Sequence, residues 1–291
     1  MSTEIDHDSW SAAQAETTVT VDGHDLSVAY YTGGETDGDG ETLVFLHGIP
    51  TWSFLWRRIA PTFEGDYRVV VPDLLGYGNS DRREGFDRSI RAQEAMLEAL
   101  LEDLGEDRVT LVAHDIGGGV ALRFAASEPG RVDRLVISNA VCYDSWPVEF
   151  ISEFGLPGTA GMDDGEFEGQ LEFAFDDGAY GEADPAFVAG MKAPWMREGG
   201  KRALARAAVS TNTNHTTEID YDAIDADVLC LWAEDDVMQP IEYGERLAED
   251  LGGDLEPVSE AYHWIVEDRP ERYRRSLRAF LTETDSNGGG E

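Results

Sequence analysis

The sequence is short of basic residues. Its 291 residues include 22 lysines and arginines against 59 aspartates and glutamates, which gives a net charge of −37, and Lys192 and Lys201 are the only lysines. A charge of this sign repels nucleic acid and anionic membranes, so we expect neither as a partner. The acids recur along the whole chain instead of forming one block. This distribution is typical of a solvated surface, of the kind that keeps salt-adapted proteins soluble.

Long apolar runs and cysteines are also scarce. No run of about 18 apolar residues occurs, and no charged segment followed by an apolar one opens the chain, so we expect neither a membrane span nor an export signal. Cys142 and Cys230 are the two cysteines, and each follows an apolar, β-like run, which favours buried thiols over a disulfide. No zinc-ligand spacing is present. We therefore expect a cytoplasmic protein without a metal or cofactor.

What the chain does contain is enough apolar material for a folded core. Apolar residues make up 42% of it, and seven are tryptophans. Short apolar runs alternate with helix-like segments, a rhythm that favours parallel strands joined by helices. The predicted strands are Thr42–Leu46, Tyr67–Val71, Val109–Ala113, Val132–Ser138 and Asp227–Trp232, preceded by a hairpin of Thr17–Val21 and Leu26–Tyr31. Apolar residues at helical spacing predict a helix over Arg88–Leu104, and another closes the chain over Glu271–Leu281.

The alternation breaks between about residues 141 and 222. This stretch is rich in Gly, Phe, Trp, Met and acids and shows no strand–helix–strand unit. We predict a discontinuous α/β core over residues 17–140 and 223–282, with residues 141–222 inserted as a helical cap. Residues 1–16 and 283–291 are polar and are predicted to be flexible termini.

One polar, glycine-rich corner joins a predicted strand directly to a predicted helix. The strand Val109–Ala113 meets the helix-like run Val120–Ala126 through His114-Asp115-Ile116-Gly117-Gly118-Gly119. This is the layout of a nucleophile elbow, in which the central side chain is lifted above the sheet. The residues two positions before and two positions after the central residue must be small, and here they are Ala113 and Gly117. The central residue is Asp115, where most such elbows carry serine.

Two further strand ends supply partners for Asp115. The run after Asp227–Trp232 contains three competing acids, Glu234, Asp235 and Asp236, and His263 follows in a later loop. Sites in open α/β sheets lie at the carboxyl ends of the strands. Nucleophile, acid and histidine follow in the chain order that a catalytic triad on this fold requires.

Together these segments resemble the α/β-hydrolase superfamily, and specifically its aspartate-nucleophile branch of haloalkane dehalogenases and epoxide hydrolases. The resemblance is carried by the His47–Arg57 and Asp73–Asp81 segments, the aspartate elbow, and the loops of Asp236 and His263. The family pattern places the acid four residues before the proline that opens the next helix, which selects Asp236. The resemblance covers about residues 17–282 apart from the predicted cap.

The resemblance implies a mechanism. Asp115 would attack a carbon that bears a leaving group and form an alkyl ester, which water activated by His263 and Asp236 would then hydrolyse. The backbone N–H groups of Ile49 and Ile116 would hold the oxyanion. His47 and His114 would be structural, and Asp73 would fix its own loop.

The chain departs from the family at the residues that hold the leaving group. Haloalkane dehalogenases usually have tryptophan at the position of Ile116 and often asparagine at that of Ile49, and fluoroacetate-type enzymes have arginine after the nucleophile. Aromatic residues elsewhere could donate instead: tyrosines to an epoxide oxygen, or tryptophans to a halide. The candidates are Tyr143, Tyr180, Tyr221, Trp52, Trp146 and Trp195.

The sequence therefore predicts a hydrolase of the haloalkane dehalogenase type, with an epoxide hydrolase that yields vicinal diols as the alternative. A non-catalytic small-molecule receptor on the same fold is the alternative from another class. The expected partners are a small apolar, halogenated or epoxide substrate and water. The protein is expected to be a monomer or a homodimer.

Overall fold

The computed structural model describes residues 5–34, 41–210 and 212–287 of the chain. An eight-stranded sheet forms its centre. In chain order, strands β1–β8 are Ala15–Val21, His24–Gly33, Thr42–Leu46, Arg68–Pro72, Val109–His114, Val132–Ser138, Asp227–Ala233 and Asp254–Val258. Across the sheet their order is β1-β2-β4-β3-β5-β6-β7-β8. β1 and β2, and β2 and β4, pair antiparallel, while the remaining neighbours pair parallel. The predicted α/β fold with a mostly parallel sheet is confirmed.

The composition of the strands explains their place in the sheet. β3 and β5 are buried along their whole length, as expected for apolar strands covered on both faces. Among the described strands, β8 lies at the edge of the sheet with β7 as its one neighbour, and within β8 only Val258 is buried. Pro257 is tolerated there because an edge strand has a side without ladder hydrogen bonds.

Helices pack around this sheet. The predicted helix over Arg88–Leu104 runs from Ile90 to Leu104; Ser89 caps its start, and Gly105 ends it in the left-handed conformation (φ 72°). The helices α1–α11 are His7–Ala13, Ile90–Leu104, Ile116–Ser127, Glu149–Phe154, Asp164–Asp177, Pro185–Lys192, Gly200–Val209, Asn214–Thr217, Ile241–Leu251, Ile265–Asp268 and Pro270–Asn287. Short 3₁₀ turns cover Ser53–Arg58, Ala60–Phe63, Thr159–Gly161 and Tyr221–Ala223.

The segment between β6 and β7 contains helices and no strand among its described residues. Helices α4 to α8 lie here, in the stretch where the sequence shows no strand–helix–strand unit. α5 and α6 pack against each other, as do α4 and α7. The separation of residues 141–222 as a cap domain stays a prediction.

The N-terminal segment differs from the flexible terminus that its polarity suggests. Asp6 caps α1 by accepting a hydrogen bond from the N–H of Ser9 at 2.8 Å. Trp10, within α1, is fully buried and donates to Ser53 Oγ at 2.9 Å. One buried indole therefore anchors this stretch. Residues 1–4 lie outside the described residues.

The C-terminal helix extends further than the sequence predicts. α11 continues to Asn287, past the predicted boundary at residue 282, and residues 288–291 lie outside the described part of the chain. The predicted turn over residues 33–40 lies outside it from residue 35 onward. Cys142 and Cys230 are both buried free thiols. Within the described ranges, no helix has the length and apolarity needed to cross a membrane.

Candidate active site

Asp115 stands at the corner between β5 and α3 in a strained backbone conformation. Its φ of 53° and ψ of −126° lie in a region that non-glycine residues rarely adopt. Its side chain is 4% exposed. This is the sharp strand-to-helix turn of a nucleophile elbow.

Two glycines make this corner sterically possible. A Cβ on Gly117 would lie 2.6 Å from the carbonyl oxygens of both Leu46 and His47, and these backbone atoms cannot move aside easily. A Cβ on Gly48 would lie 2.2 Å from Asp115 Oδ1. The close approach of α3 to the end of β3 is thus the physical reason for the small residue predicted at position 117.

The loop after β3 provides a donor for the Asp115 carboxylate. The N–H of Ile49 donates to Oδ1 at 2.7 Å. Burial raises the pKa of Asp115, while the neighbouring His263 and the backbone N–H groups of Ile116 and Ile49 act in the opposite direction. Of the two predicted oxyanion donors, Ile49 therefore contacts the carboxylate directly, and Ile116 follows Asp115 in the chain.

His263 lies between the two carboxylates. Its Nδ1 is 2.8 Å from Asp236 Oδ2, and its Nε2 is 3.7 Å from Asp115 Oδ2. Burial opposes protonation of the ring, but the charges of Asp236 and Asp115 outweigh it and raise the pKa of His263. The residues predicted to form a triad are adjacent in space, in the order acid, histidine, nucleophile.

The acid itself is held by its own loop. The N–H groups of Met238 and Gln239 donate to Asp236 Oδ1 at 2.8 and 3.2 Å, which leaves Oδ2 for the histidine. Of the three acids in this loop, Glu234 and Asp235 are exposed and Asp236 is buried. The choice of Asp236 agrees with this geometry.

Asn139 is a residue of this site that the sequence reasoning missed. It is the first residue after β6, has a φ of 44°, and is fully buried. Its Nδ2 donates to Asp236 Oδ2 at 2.6 Å, and its Oδ1 accepts from the N–H of Ala233 at 3.3 Å. Its position at the carboxyl end of a parallel strand was the signal that could have identified it.

A very small cavity lies against Asp115 and His263. Its volume is about 10 Å³, which is room for about one water molecule. A 230 Å³ pocket and an 800 Å³ groove lie beside it, and Met238 lines all three. The residues that line the small cavity are Ile49, Pro50, Asp115, Val148, Phe150, Ile151, Ala174, Met238, Gln239, His263 and Trp264.

Comparison with known proteins agrees with the fold described above. The family model described as the alpha/beta hydrolase fold matches residues 41–169. A crystal structure of an alpha/beta hydrolase fold protein from Burkholderia ambifaria is 28% identical, with a TM-score of 0.81 over 90% of this chain and 96% of that one. The chain therefore has the α/β-hydrolase fold.

Curated relatives match only part of this chain. A cis-3-alkyl-4-alkyloxetan-2-one decarboxylase of Shewanella oneidensis is 40% identical over 106 residues, which are 35% of this chain and 33% of that protein. A haloalkane dehalogenase of Mycolicibacterium paratuberculosis is 42% identical over 103 residues, 35% of this chain and 34% of that protein. The match therefore spans about a third of the length of these relatives.

The other two histidines near the hydrolase site are buried. His47 accepts from the N–H of Leu74 at Nε2 and contacts the carbonyl of Gly48 through Nδ1, both at 2.9 Å, and burial lowers its pKa to about 4. Burial and the neighbouring His263 lower the pKa of His114, whose ring centroid lies 4.8 Å from that of His263. A neutral His47 joins two loops, in agreement with the structural role expected for it.

Asp73 also connects loops. Its carboxylate accepts from the N–H of Ser53 at 2.9 Å, from the N–H of Asn79 at 2.8 Å and from the side chain of Gln14 at 3.0 Å. Burial raises its pKa, and these donors oppose the shift. Asp73 thus fixes the segment after β3 as well as its own loop.

Four of the six aromatic donors predicted from the sequence use their polar atoms elsewhere. Trp52 Nε1 donates to the carbonyl of Gly190 at 2.9 Å, and Trp195 Nε1 to that of Pro50 at 2.5 Å. The Tyr143 hydroxyl donates to Asp250 at 2.7 Å. The Tyr221 hydroxyl accepts from the Tyr143 N–H at 2.9 Å and donates to a carbonyl. Contacts with other parts of the chain, which the sequence does not reveal, already occupy the polar atoms of these four side chains.

The other two aromatic candidates do not line the small cavity. Trp146 is buried, and Tyr180 is 42% exposed with its ring edge-to-face against Tyr262. The indole that does line the cavity is Trp264, whose Nε1 donates to the carbonyl of Phe175 at 3.0 Å. Over the described ranges, no group of three or more His, Cys, Asp or Glu is arranged to hold a metal ion.

Proposed function

We propose that this α/β-hydrolase cleaves a carbon–halogen bond through a covalent alkyl ester on Asp115. One observation carries the proposal: the N–H of Ile49 contacts Asp115 Oδ1 at 2.7 Å, while Oδ2 faces His263 Nε2 at 3.7 Å. One oxygen is thus held by a backbone donor, and the other is directed toward the cavity and the base.

In the first step, Asp115 Oδ2 attacks the carbon that carries the halogen. The new carbon–oxygen bond forms as the carbon–halogen bond breaks, and the halide leaves with the bonding electrons. A carboxylate suits this in-line displacement at saturated carbon. The apolar cavity lining weakens the solvation of the nucleophile and favours an uncharged substrate.

In the second step, water attacks the ester carbonyl carbon. His263 Nε2 takes a proton from that water, and Asp236 stabilises the resulting imidazolium through Nδ1. The negative charge develops on the oxygen that the N–H of Ile49 contacts. Collapse of the intermediate releases the alcohol and restores the Asp115 carboxylate. The net reaction converts a haloalkane and water into an alcohol, a halide and a proton.

Epoxide hydrolysis is the alternative that uses the same nucleophile. Ring opening produces an alkoxide, which requires an acid such as a tyrosine hydroxyl. The described residues that line the small cavity include no tyrosine. A β-lactone is a further candidate, because the Shewanella oneidensis relative is named as an oxetan-2-one decarboxylase. Its ring opening at the alkyl carbon would release a carboxylate that needs no proton.

A product panel separates these reactions. The full chain would be incubated with short bromoalkanes, terminal epoxides and dialkyl β-lactones, and assayed for halide, diol, and alkene with carbon dioxide. We expect halide and alcohol from the bromoalkanes, and no product from Asp115→Asn, which keeps the shape of the side chain and lacks the nucleophilic carboxylate. Diol alone, or alkene alone, would replace the proposed reaction with the corresponding alternative.

A trapping experiment tests the covalent step. His263→Gln should stall ester hydrolysis, so a bromoalkane should leave an alkyl adduct on Asp115 that peptide mass spectrometry detects. In the wild-type enzyme, a single turnover in ¹⁸O-labelled water should place label in the Asp115 carboxylate. Absence of both the adduct and the label with every substrate would instead favour the non-catalytic receptor.

A further inference from the structure

Gln239 lines the cavity that contains Asp115 and His263, and it carries an unpaired polar group. Its side chain is 1% exposed and lines the same small cavity as the nucleophile and the base. Its Oε1 is buried and has no hydrogen-bond partner among the residues that the structure describes. Buried amide groups are almost always paired, so an unpaired one beside a reaction centre indicates a position that a ligand completes.

The backbone of Gln239 is held on both sides. Its N–H donates to Asp236 Oδ1 at 3.2 Å, and its carbonyl accepts from Trp232 Nε1 at 2.7 Å. The first contact ties it to the catalytic acid and the second to β7. The carboxamide is therefore attached to a fixed backbone segment, as a binding group requires.

Among the described residues that line the cavity, Gln239 has the side chain that is available to bind a substrate heteroatom. Apart from Asp115 and His263, the lining side chains with polar atoms are those of Gln239 and Trp264. Trp264 Nε1 already donates to the carbonyl of Phe175 at 3.0 Å. The carboxamide is thus the group in this lining that is free to contact a substrate heteroatom.

We propose that the Gln239 carboxamide binds the departing group and selects substrates whose leaving group departs as a stable anion. Rotation about the Cγ–Cδ bond directs its N–H₂ into the cavity, where it donates to the developing anion. An amide donates a hydrogen bond but gives up no proton at neutral pH, so it serves a halide or a carboxylate better than an alkoxide. This inference rests on the proposed displacement by Asp115.

The test separates the two chemical steps, because the leaving group has gone before the ester is hydrolysed. Gln239→Met preserves the length of the side chain and removes the donor. Rapid-quench measurement with a bromoalkane should show ester formation slowed about 10²-fold, the effect of removing one such donor, with ester hydrolysis unchanged. The loss should be larger for chloroalkanes than for iodoalkanes, since chloride is the poorer leaving group. Gln239→Glu should slow ester formation further, because a carboxylate repels the leaving anion.

The control is Met238→Leu, an apolar change in the same loop and cavity lining, which should leave the chloride-to-iodide ratio unaltered. An independent readout is saturable quenching of tryptophan fluorescence by sodium bromide, expected in the wild type and lost in Gln239→Met. Equal slowing of both steps, or of neither, would overturn the role of Gln239 while leaving the Asp115 ester intact. Saturable bromide binding without any ester would support Gln239 and overturn the proposed reaction. Absence of both would overturn both.

Discussion

Asn139 and His263 contact the same oxygen of Asp236. Nδ2 of Asn139 donates to Oδ2 over 2.6 Å, and His263 Nδ1 lies 2.8 Å from it. The end of β6 therefore supports the acid that follows β7. Asn139 is thus a fourth residue of the candidate catalytic group, and its amide helps to hold Oδ2 beside the histidine.

Replacement of Asn139 should slow ester hydrolysis. Asn139→Leu removes a hydrogen bond to a charged group, worth about 1.5–3 kcal/mol, so hydrolysis of the Asp115 ester should fall about 10- to 100-fold. Ester formation should change little, because it does not use the base. Single-turnover kinetics would measure the two rates separately. Ser138→Ala, one residue earlier on β6, contacts no part of Asp236 and is the control; equal losses in both variants would contradict the assignment.

The pH dependence of ester hydrolysis should report the titration of His263. The base must be neutral, and Asp236 has the largest effect among the groups that raise the pKa of His263. Asp115 also raises it in the free protein but carries no charge once it is esterified, so the rate should increase with pH with a midpoint set by burial and by Asp236. Asp236→Asn removes the carboxylate that raises this pKa most and should lower the midpoint.

The same shift has a consequence for stability, with a definite sign. Because the folded-state pKa of His263 lies above the unfolded one, the protonated ring stabilises the fold below the unfolded pKa. That contribution is lost as the pH rises through the folded pKa. Urea denaturation of the wild type and His263→Gln across this window would measure it. A stability difference between them that grows in favour of the wild type with rising pH would contradict the assignment.

Gly117→Ala should destabilise the fold and abolish activity. Its Cβ would lie 2.6 Å from two backbone oxygens, and overpacking of this kind costs about 1–3 kcal/mol. Urea denaturation would measure the loss. Gly169→Ala is the matched control: it lies within α5, its Cβ meets nothing within 4 Å, and it should stabilise the protein by about 0.5–1 kcal/mol. Equal effects would contradict the steric argument.

Phe150→Ala should widen the range of substrates. Phe150 is half-buried and lines both the 10 Å³ cavity and the adjacent 230 Å³ pocket. Its removal should join these spaces and lower KM for longer haloalkanes relative to short ones. The measurement is kcat/KM along a series of chain lengths. Phe173→Ala, which lines only the outer of these two spaces, should leave the short-to-long ratio nearer that of the wild type.

Salt should stabilise the protein. A net charge of −37 implies self-repulsion in the folded state. Raising KCl from 0.1 to 1 M shortens the screening length from about 10 to about 3 Å. We expect Tm to rise by about 5 °C, which corresponds to roughly 1–3 kcal/mol. Glucose at equal osmolality is the control, and a similar rise in both solutes would assign the effect to solute exclusion instead of charge.

The sequence was most informative where local pattern decides structure. Buried strands, the glycine corner around Asp115 and the order Asp115, Asp236, His263 all follow from short stretches of residues. Asn139 and the partners of Trp52 and Tyr143 depend on contacts between segments about a hundred residues apart, which neither spacing nor residue type encodes. The sequence also does not identify Gln239, because its place in the cavity depends on lining residues that come from several distant segments.

Trp264, next to the base along the chain, is attached to the helical insertion. Its N–H donates to the carbonyl of Gly178 and its indole to that of Phe175, both at 3.0 Å. Gly178 can carry no side chain there, since a Cβ would lie 2.5 Å from the indole nitrogen. Lifting the insertion away would thus break contacts one residue from His263. The packing of α5 therefore bears on the position of His263, which it reaches through the next residue in the chain.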